Sequence, residues 1–361
     1  MKDEKFLEII DKNELSPRSN VRGFEFLSDD NKTVLIIASD PLDFDCLGSG
    51  LILKKYLESL GKIVTLMWPG EATREDRDYF RFLPYFNEVI FKDTREILKK
   101  KNFDVLILVD GSSLVQFYDT SKTIDNPPDL SIYDTRIHID HHLDNGQVLG
   151  TYTIRDVGAS AATKIILEKI VPRDFIDEKL ATLGYSAILW DTGNFQWQFN
   201  DGTLEIADFL LQKGAEVDFL LNKLYSSYPK LRLEMLSLAI KNIEYDDKLK
   251  TLFLFLPYQT FQEEKLDENK FKELREVFVD EIAGKITGYD RGILIYEKEP
   301  NKIKISARGN NLYNKINLPK ILSELTPQGG GHFNAAGAET KGDFEEIKKA
   351  LLETIQKYLQ K

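Results

Sequence analysis

The chain has a single cysteine, Cys46, and only four histidines among its 361 residues. One cysteine excludes an internal disulfide and fits a reducing, cytoplasmic setting. Long hydrophobic runs are missing too. The longest, such as Val105 to Val109 and Leu252 to Pro257, fall far short of the ~20 apolar residues that a bilayer-crossing helix needs. No membrane partner is expected. The first residues, Met1-Lys2-Asp3-Glu4-Lys5, are charged and no long apolar segment follows, so no signal peptide is expected. Positive charge is in deficit, with a formal net charge of −11. That excludes a broad basic face for long duplex nucleic acid. A short anionic substrate remains compatible, because a local metal or arginine cluster overrides the average field.

The histidines that are present are concentrated. His138, His141 and His142 lie in Ile137-His138-Ile139-Asp140-His141-His142, and His332 follows three glycines, Gly329 to Gly331. Alternation from Arg136 to Ile139 predicts a strand, with the polar cluster at its C-terminal end. His138 then shares a face with Asp140 and reads as a structural residue or as support for the cluster.

Length predicts about two domains. Apolar runs at residues 33–38, 62–68, 88–91 and 105–109 read as strands, with helical patterns between them. Strand–helix alternation predicts an α/β fold, a parallel sheet with helices on both faces. Residues 158–170, 177–189, 204–211 and 217–224 read as helices. A break at Ser226 to Pro229 precedes a linker helix over 230–243. Beyond it, strands at 249–256, 292–296 and 302–307 mix with helices at 270–283, 318–325 and 344–359. The expected division is an extension (1–31), a first domain (32–227), a linker helix (228–243) and a smaller α/β domain (244–361).

Four aspartate-bearing stretches follow apolar runs: Asp40 to Asp45, Asp110-Gly111-Ser112-Ser113, Asp140-His141-His142 and Asp191-Thr192-Gly193. Any one of them reads equally as a helix cap or turn. In open α/β sheets, however, ligands bind beyond the carboxyl ends of strands. Acids crowded there repel one another and must be compensated. Two divalent ions would set +4 against the −4 of Asp43, Asp45, Asp110 and Asp191. Oxygen and imidazole donors without thiolate suit Mn²⁺ or Mg²⁺, with Zn²⁺ or Co²⁺ as alternatives.

The ordered set Asp43-Phe44-Asp45-Cys46-Leu47-Gly48-Ser49, Asp110-Gly111-Ser112-Ser113, Asp140-His141-His142, Asp191-Thr192-Gly193 and Gly329 to Gly337 resembles the DHH phosphoesterase superfamily with its DHHA1 domain. It is most similar to the branch of bacterial oligoribonucleases and 3′-phosphoadenosine 5′-phosphate (pAp) phosphatases. The resemblance runs from about residue 33 to 361. It implies a parallel-sheet DHH domain, a DHHA1 domain, and an active site in the cleft between them. It further implies that Asp43 ligates a first metal, Asp45 and His141 a second, and that Asp110 and Asp191 bridge the two. His142 would face the scissile phosphate, with Asp140 orienting a histidine. Gly329, Gly330, Gly331, His332 and Arg308 would bind phosphate or sugar. The implied activity is two-metal phosphoester hydrolysis, with Mn²⁺ the leading ion, on short oligoribonucleotides or pAp. A homodimer is the candidate assembly.

The branch carries a histidine four residues before the first aspartate and a proline one before it. Here Ser39 and Leu42 stand in those places. The first metal thus lacks an expected ligand, a role open to Asp40 or water. Two alternatives keep the same chemistry: a pyrophosphatase or polyphosphatase, and a phosphodiesterase for cyclic or linear dinucleotides. One from another class is a non-catalytic nucleotide-binding regulator with an incomplete metal site. The helix start over Gly158 to Thr163 reads as close packing before phosphate binding, and Trp190 and Trp197 read as core filling before base stacking.

Overall fold

The computed structural model describes residues 24–28, 32–71, 74–119, 127–143, 146–196, 199–225, 229–326 and 330–360. The chain divides into two compact units between Leu224 and Tyr225.

The first unit is built on six strands: β1 (Thr33–Ala38), β2 (Ile63–Trp68), β3 (Val89–Phe91), β4 (Val105–Val109), β5 (Thr135–Asp140) and β6 (Tyr152–Arg155). They form one sheet in the order β3-β2-β1-β4-β5-β6. All five pairings are parallel. Chain order runs outward from β1 on one side and from β4 on the other, so the topological switch lies between β1 and β4. A ligand crevice is expected at the carboxyl ends there.

The unbroken apolar character of β1 and β4 has a direct cause. Val34, Ile36, Val105 and Ile107 belong to the core on one face of the sheet. Leu35, Ile37, Leu106 and Leu108 belong to the core on the other. Both faces are covered, so beyond Thr33 at the start of β1 no position along these strands is left for a polar residue. Each such burial contributes about 1.5–3 kcal/mol.

Helices α1 (Phe44–Ser59), α2 (Arg74–Phe80), α3 (Arg95–Leu98), α4 (Ala162–Lys169), α5 (Glu178–Asp191), α6 (Asp201–Gln212) and α7 (Val217–Tyr225) complete this unit. The sequence read a helix over 177–189 just ahead of Asp191; α5 runs on to Asp191, which is its last residue.

The second unit opens with α8 (Lys230–Asn242). The sequence set this helix apart as a linker. Its Met235, Leu238 and Ala239 are buried with Leu252, Leu254 and Leu294 in one of the second unit's cores. The unit continues through β7 (Ile243–Asp246), β8 (Thr251–Leu256), α9 (Tyr258–Glu263), α10 (Glu268–Val277), β9 (Arg291–Glu299) and β10 (Lys302–Gly309). It closes with α11 (Leu318–Leu325), β11 (Gly330–His332), β12 (Ala335–Lys341) and α12 (Phe344–Leu359). The sheet order is β11-β12-β10-β9-β8-β7. Among the described residues of this sheet only β8 and β9 pair in parallel, and α9 and α10 lie in their crossover. The expected α/β fold with a larger parallel-sheet domain and a smaller second domain holds. Among the described residues no helix is long and apolar enough to cross a membrane.

Candidate metal centre

Three adjacent strands, β1, β4 and β5, deliver acids or histidines at their carboxyl ends. After β1 the chain passes Ser39 and a cis Asp40–Pro41 bond into α1. Asp43 is the N-cap of α1, and its Oδ1 accepts the Cys46 N–H at 2.8 Å. Cys46 returns the contact, its sulfur taking the Asp43 N–H at 3.2 Å. Burial, then the charge of Asp45, raises the Asp43 carboxyl to a pKa of about 6, against the hydrogen bonds from Cys46.

Asp45, in the first turn of α1, is fully buried. Its two oxygens accept the N–H groups of Ala162 at 2.6 Å and Thr163 at 2.9 Å. Those groups begin α4, whose own N-cap position holds Ala161 and no capping side chain. The open donors at a helix start favour a carboxylate there. Asp45 thus fills the helix N-terminus that the sequence considered as a phosphate site.

Asp110 follows β4 with φ at +61°, a left-handed conformation that costs a non-glycine residue about 1–2 kcal/mol. Its N–H donates to Ile139 O at 2.9 Å. The Ser39 hydroxyl donates to its carbonyl. Gly111 follows because nothing larger fits: a Cβ there would stand 2.8 Å from both Ser39 Cβ and Phe117 Cζ. Burial, then the charges of Asp45, Asp43, Asp191 and Asp140, holds the Asp110 carboxyl well above the usual range.

At the end of β5, His141 and His142 part company. His141 Nδ1 lies 3.3 Å from Ala159 O. A carbonyl only accepts, so Nδ1 carries the proton and Nε2 presents a lone pair. Burial lowers the His141 pKa and favours this neutral form. Nε2 faces Asp191 Oδ2 at 3.3 Å, Asp110 Oδ1 at 3.4 Å and Asp45 Oδ2 at 3.9 Å. His142 Nδ1 bonds Asp140 Oδ1 at 2.9 Å, and its backbone N–H reaches the same oxygen at 3.2 Å. That bond leads the causes that raise the His142 pKa. Burial alone would raise the Asp140 carboxyl, but the His142 bond and the nearby histidines bring it below the usual range. Arg155 Nε stands 3.4 Å from the other Asp140 oxygen.

Asp110 Oδ1 and Asp191 Oδ2 are buried without a hydrogen-bond donor. Burial, with the charges of Asp45 and Asp43, raises the Asp191 carboxyl well above its usual range. Lone pairs from three carboxylates and an imidazole therefore converge with too few protons between them. A divalent cation satisfies such an arrangement. Two triads, Asp45–His141–Asp191 and Asp110–His141–His142, have ligand atoms within 4.8 Å of one another. Both contain His141, and Asp43 is in neither.

The other candidates are placed as follows. His138 is fully buried and its Nε2 lies 2.7 Å from Gly111 O, a bond with no sign in the sequence beyond strand alternation. Trp190 packs on Phe44, ring centroids 5.1 Å apart, and is 39% exposed. In the second unit, Arg308 lies near the end of β10, opposite Ala335 of β12. Its Nη1 donates to Ala307 O at 3.2 Å. Gly330, Gly331 and His332 pair as β11 with Gly337, Ala336 and Ala335. Gly329, Trp197 and the His332 side chain lie outside what is described.

A parallel α/β sheet with a carboxylate–histidine centre at its switch point is thus followed by a mixed-sheet unit. Residues 267–361 match the DHHA1 domain. That match covers the DHHA1 part of the resemblance read from the motifs. A membrane protein–large ribosomal subunit bL9 fusion protein of Onion yellows phytoplasma is 24% identical over 318 residues, which cover 83% of this chain and 34% of that protein. A second phytoplasma fusion, from Aster yellows witches'-broom phytoplasma, is covered to 37%, so the chain spans about a third of the first curated relatives. The bifunctional oligoribonuclease and PAP phosphatase NrnA of Thermus thermophilus is 26% identical over 329 residues, 89% of this chain and 88% of that protein. Among solved structures, an exopolyphosphatase-related protein from Bacteroides fragilis superposes with a TM-score of 0.74 at 23% identity, covering 92% of this chain and 94% of that one.

Proposed function

We propose that this chain is a divalent-metal-dependent phosphoesterase that cleaves short oligoribonucleotides, pAp, or both. The observation that carries the reading is the pair of donorless oxygens, Asp110 Oδ1 and Asp191 Oδ2, facing the lone pair of His141 Nε2. Asp45, Asp110, His141 and Asp191 would hold cation, with Asp43 beside them for a second ion. Bound Mn²⁺ or a similar ion supplies Lewis acidity and charge compensation to a phosphoryl group.

The chain's own residues do the rest. Asp45 is held rigid by α4, so its oxygens stay aimed without reorganisation. Asp140 fixes the His142 tautomer and leaves Nε2 as the nitrogen for a phosphate oxygen. Arg308, Gly330, Gly331 and His332 are the proposed phosphate and sugar contacts of the second unit, with Gly329 beside them. The choice of short nucleotides over inorganic polyphosphate rests on the Thermus thermophilus relative and on the net negative charge, which disfavours tracking long strands. A cytoplasmic setting agrees with the single buried thiol.

The test is purified protein with Mn²⁺, offered a labelled RNA trinucleotide, pAp and inorganic polyphosphate. Mononucleotide or phosphate release from the first two, abolished by chelator, is expected. Turnover of polyphosphate alone would replace the substrate class. Undiminished turnover in chelator would remove the metal.

A further inference from the structure

We infer that Ser39 and His138 are positioning residues that hold Asp110 in its left-handed, crevice-facing conformation. The inference rests on the reading of Asp110 as a cation ligand.

Asp110 and Gly111 present two successive backbone carbonyls just past β4. Each carbonyl is gripped by a side chain from a different flanking strand. The Ser39 hydroxyl, just beyond β1, donates to Asp110 O. His138, within β5, bonds Gly111 O through Nε2 at 2.7 Å. A carbonyl cannot donate, so Nε2–H is the donor and this tautomer is set. With the Asp110 N–H on Ile139 O, both peptide groups around the strained residue are bonded.

The gripping side chains are themselves buried and packed. Ser39 is 2% exposed and His138 fully buried. Trp68 Nε1 donates to Ser39 O at 3.0 Å. Phe117 meets the His138 ring edge-on, at 6.4 Å and 88°. Neither gripping group reaches the Asp110 carboxylate by a hydrogen bond. Asp140 Oδ2 stands 3.9 Å from His138 Nε2, beyond hydrogen-bonding range.

A backbone held out of its preferred basin relaxes unless its surroundings over-determine it. Losing either grip lets the Asp110 peptide turn and withdraws Oδ1 from His141 Nε2. Ser39 is thus engaged in support of a ligand. It does not merely mark the absence of one.

The experiment is Mn²⁺ binding by calorimetry and electron paramagnetic resonance, on wild type, Ser39→Ala, His138→Phe, His138→Gln and Asp110→Asn. Thermal unfolding without metal accompanies each. Ser39→Ala and His138→Phe should weaken Mn²⁺ binding by about 10- to 100-fold, the usual effect of losing a ligand's support. His138→Gln, which keeps an N–H donor, should recover most of that loss. In an Asp110→Asn background, Ser39→Ala should change affinity by less than about twofold, because the two act through one group. If Asp110→Asn weakens binding while Ser39→Ala and His138→Phe leave it unchanged, the inference fails and the metal reading stands. Equal losses from Ser39→Ala in both backgrounds would also overturn it, as a general structural effect. If wild type binds no Mn²⁺, or Asp110→Asn binds as wild type, it is the reading of Asp110 that fails.

Discussion

His141 Nε2 stands 3.3 Å from Asp191 Oδ2, a nitrogen lone pair against a buried carboxylate oxygen that has no donor. A strand end and a helix end are brought together there with nothing of their own to share. The repulsion among the acids is the main property of the metal-free centre, and it dictates the signs of the first two expectations.

Asp110→Asn should lower phosphoesterase activity at least about tenfold, or roughly 1.4 kcal/mol of barrier. It should also raise the stability of the metal-free protein, because a neutral amide no longer opposes Asp45, Asp43 and Asp191. Initial rates with Mn²⁺ and melting curves in chelator check the two halves. A variant with unchanged melting and near-wild-type rate would count against the site.

Asp45→Ala should behave oppositely in chelator. This acid is also the cap of α4, and its loss leaves the Ala162 and Thr163 N–H groups buried without acceptors. Losing a capping carboxylate costs about 0.5–2 kcal/mol. Metal-free melting should fall while metal affinity also falls. If Asp45→Ala and Asp110→Asn shift the metal-free melting temperature in the same direction, the capping role is wrong.

The contrast marks where sequence reading stops. β1 and β4 are legible because burial on two faces demands unbroken apolar runs. β12 is not: Ala335 to Lys341 is small and polar, and its strand state comes from pairing with β10. The acids are legible as a group because each follows an apolar run. Their hydrogen bonds are not, since Asp45 and Ala162 are far apart in the chain and meet only when α1 and α4 pack. Ser39 reads as a missing ligand, while its hydroxyl is engaged by a backbone carbonyl that no pattern announces.

Asp43 contributes a pH dependence of stability that a single substitution can isolate. Its carboxyl stands near pKa 6 in the fold against an ordinary 3.8. A raised folded pKa means that the native state holds the proton more tightly. The resulting stabilisation is complete below about pH 3.8 and is lost as pH rises through 6. Metal-free protein should therefore melt lower at pH 7 than at pH 5. Asp43→Asn, which can still cap α1, should flatten that difference. Melting curves in chelator at the two pH values decide it. An Asn variant with the full wild-type slope would assign the effect to Asp110 and Asp191 instead.

The Asp140–His142 pair permits a test independent of turnover. Asp140 Oδ1 accepts Nδ1–H at 2.9 Å, and this bond leads the causes that raise the His142 pKa. Asp140→Asn keeps an acceptor oxygen but removes the charge. The ring orientation should persist while the imidazolium loses its partner, so the His142 pKa should fall. By linkage, stability drawn from His142 protonation in the wild type is present below the ordinary pKa of 6.5 and lost as pH rises through the folded value. That component should shrink in the variant. Proton NMR titration of the His142 ring in metal-free protein reads the shift directly, with His142→Gln assigning the resonance. In turnover, a limb governed by His142 should move to lower pH, and the rate at pH 7 should drop by about tenfold or more, as for loss of a residue that orients a site histidine. Asp140→Ala, which removes acceptor and charge together, should be worse than Asp140→Asn in rate. Equal rates in the two variants would mean that only the charge of Asp140 matters. An unshifted His142 resonance in Asp140→Asn would mean that the carboxylate does not set its proton affinity.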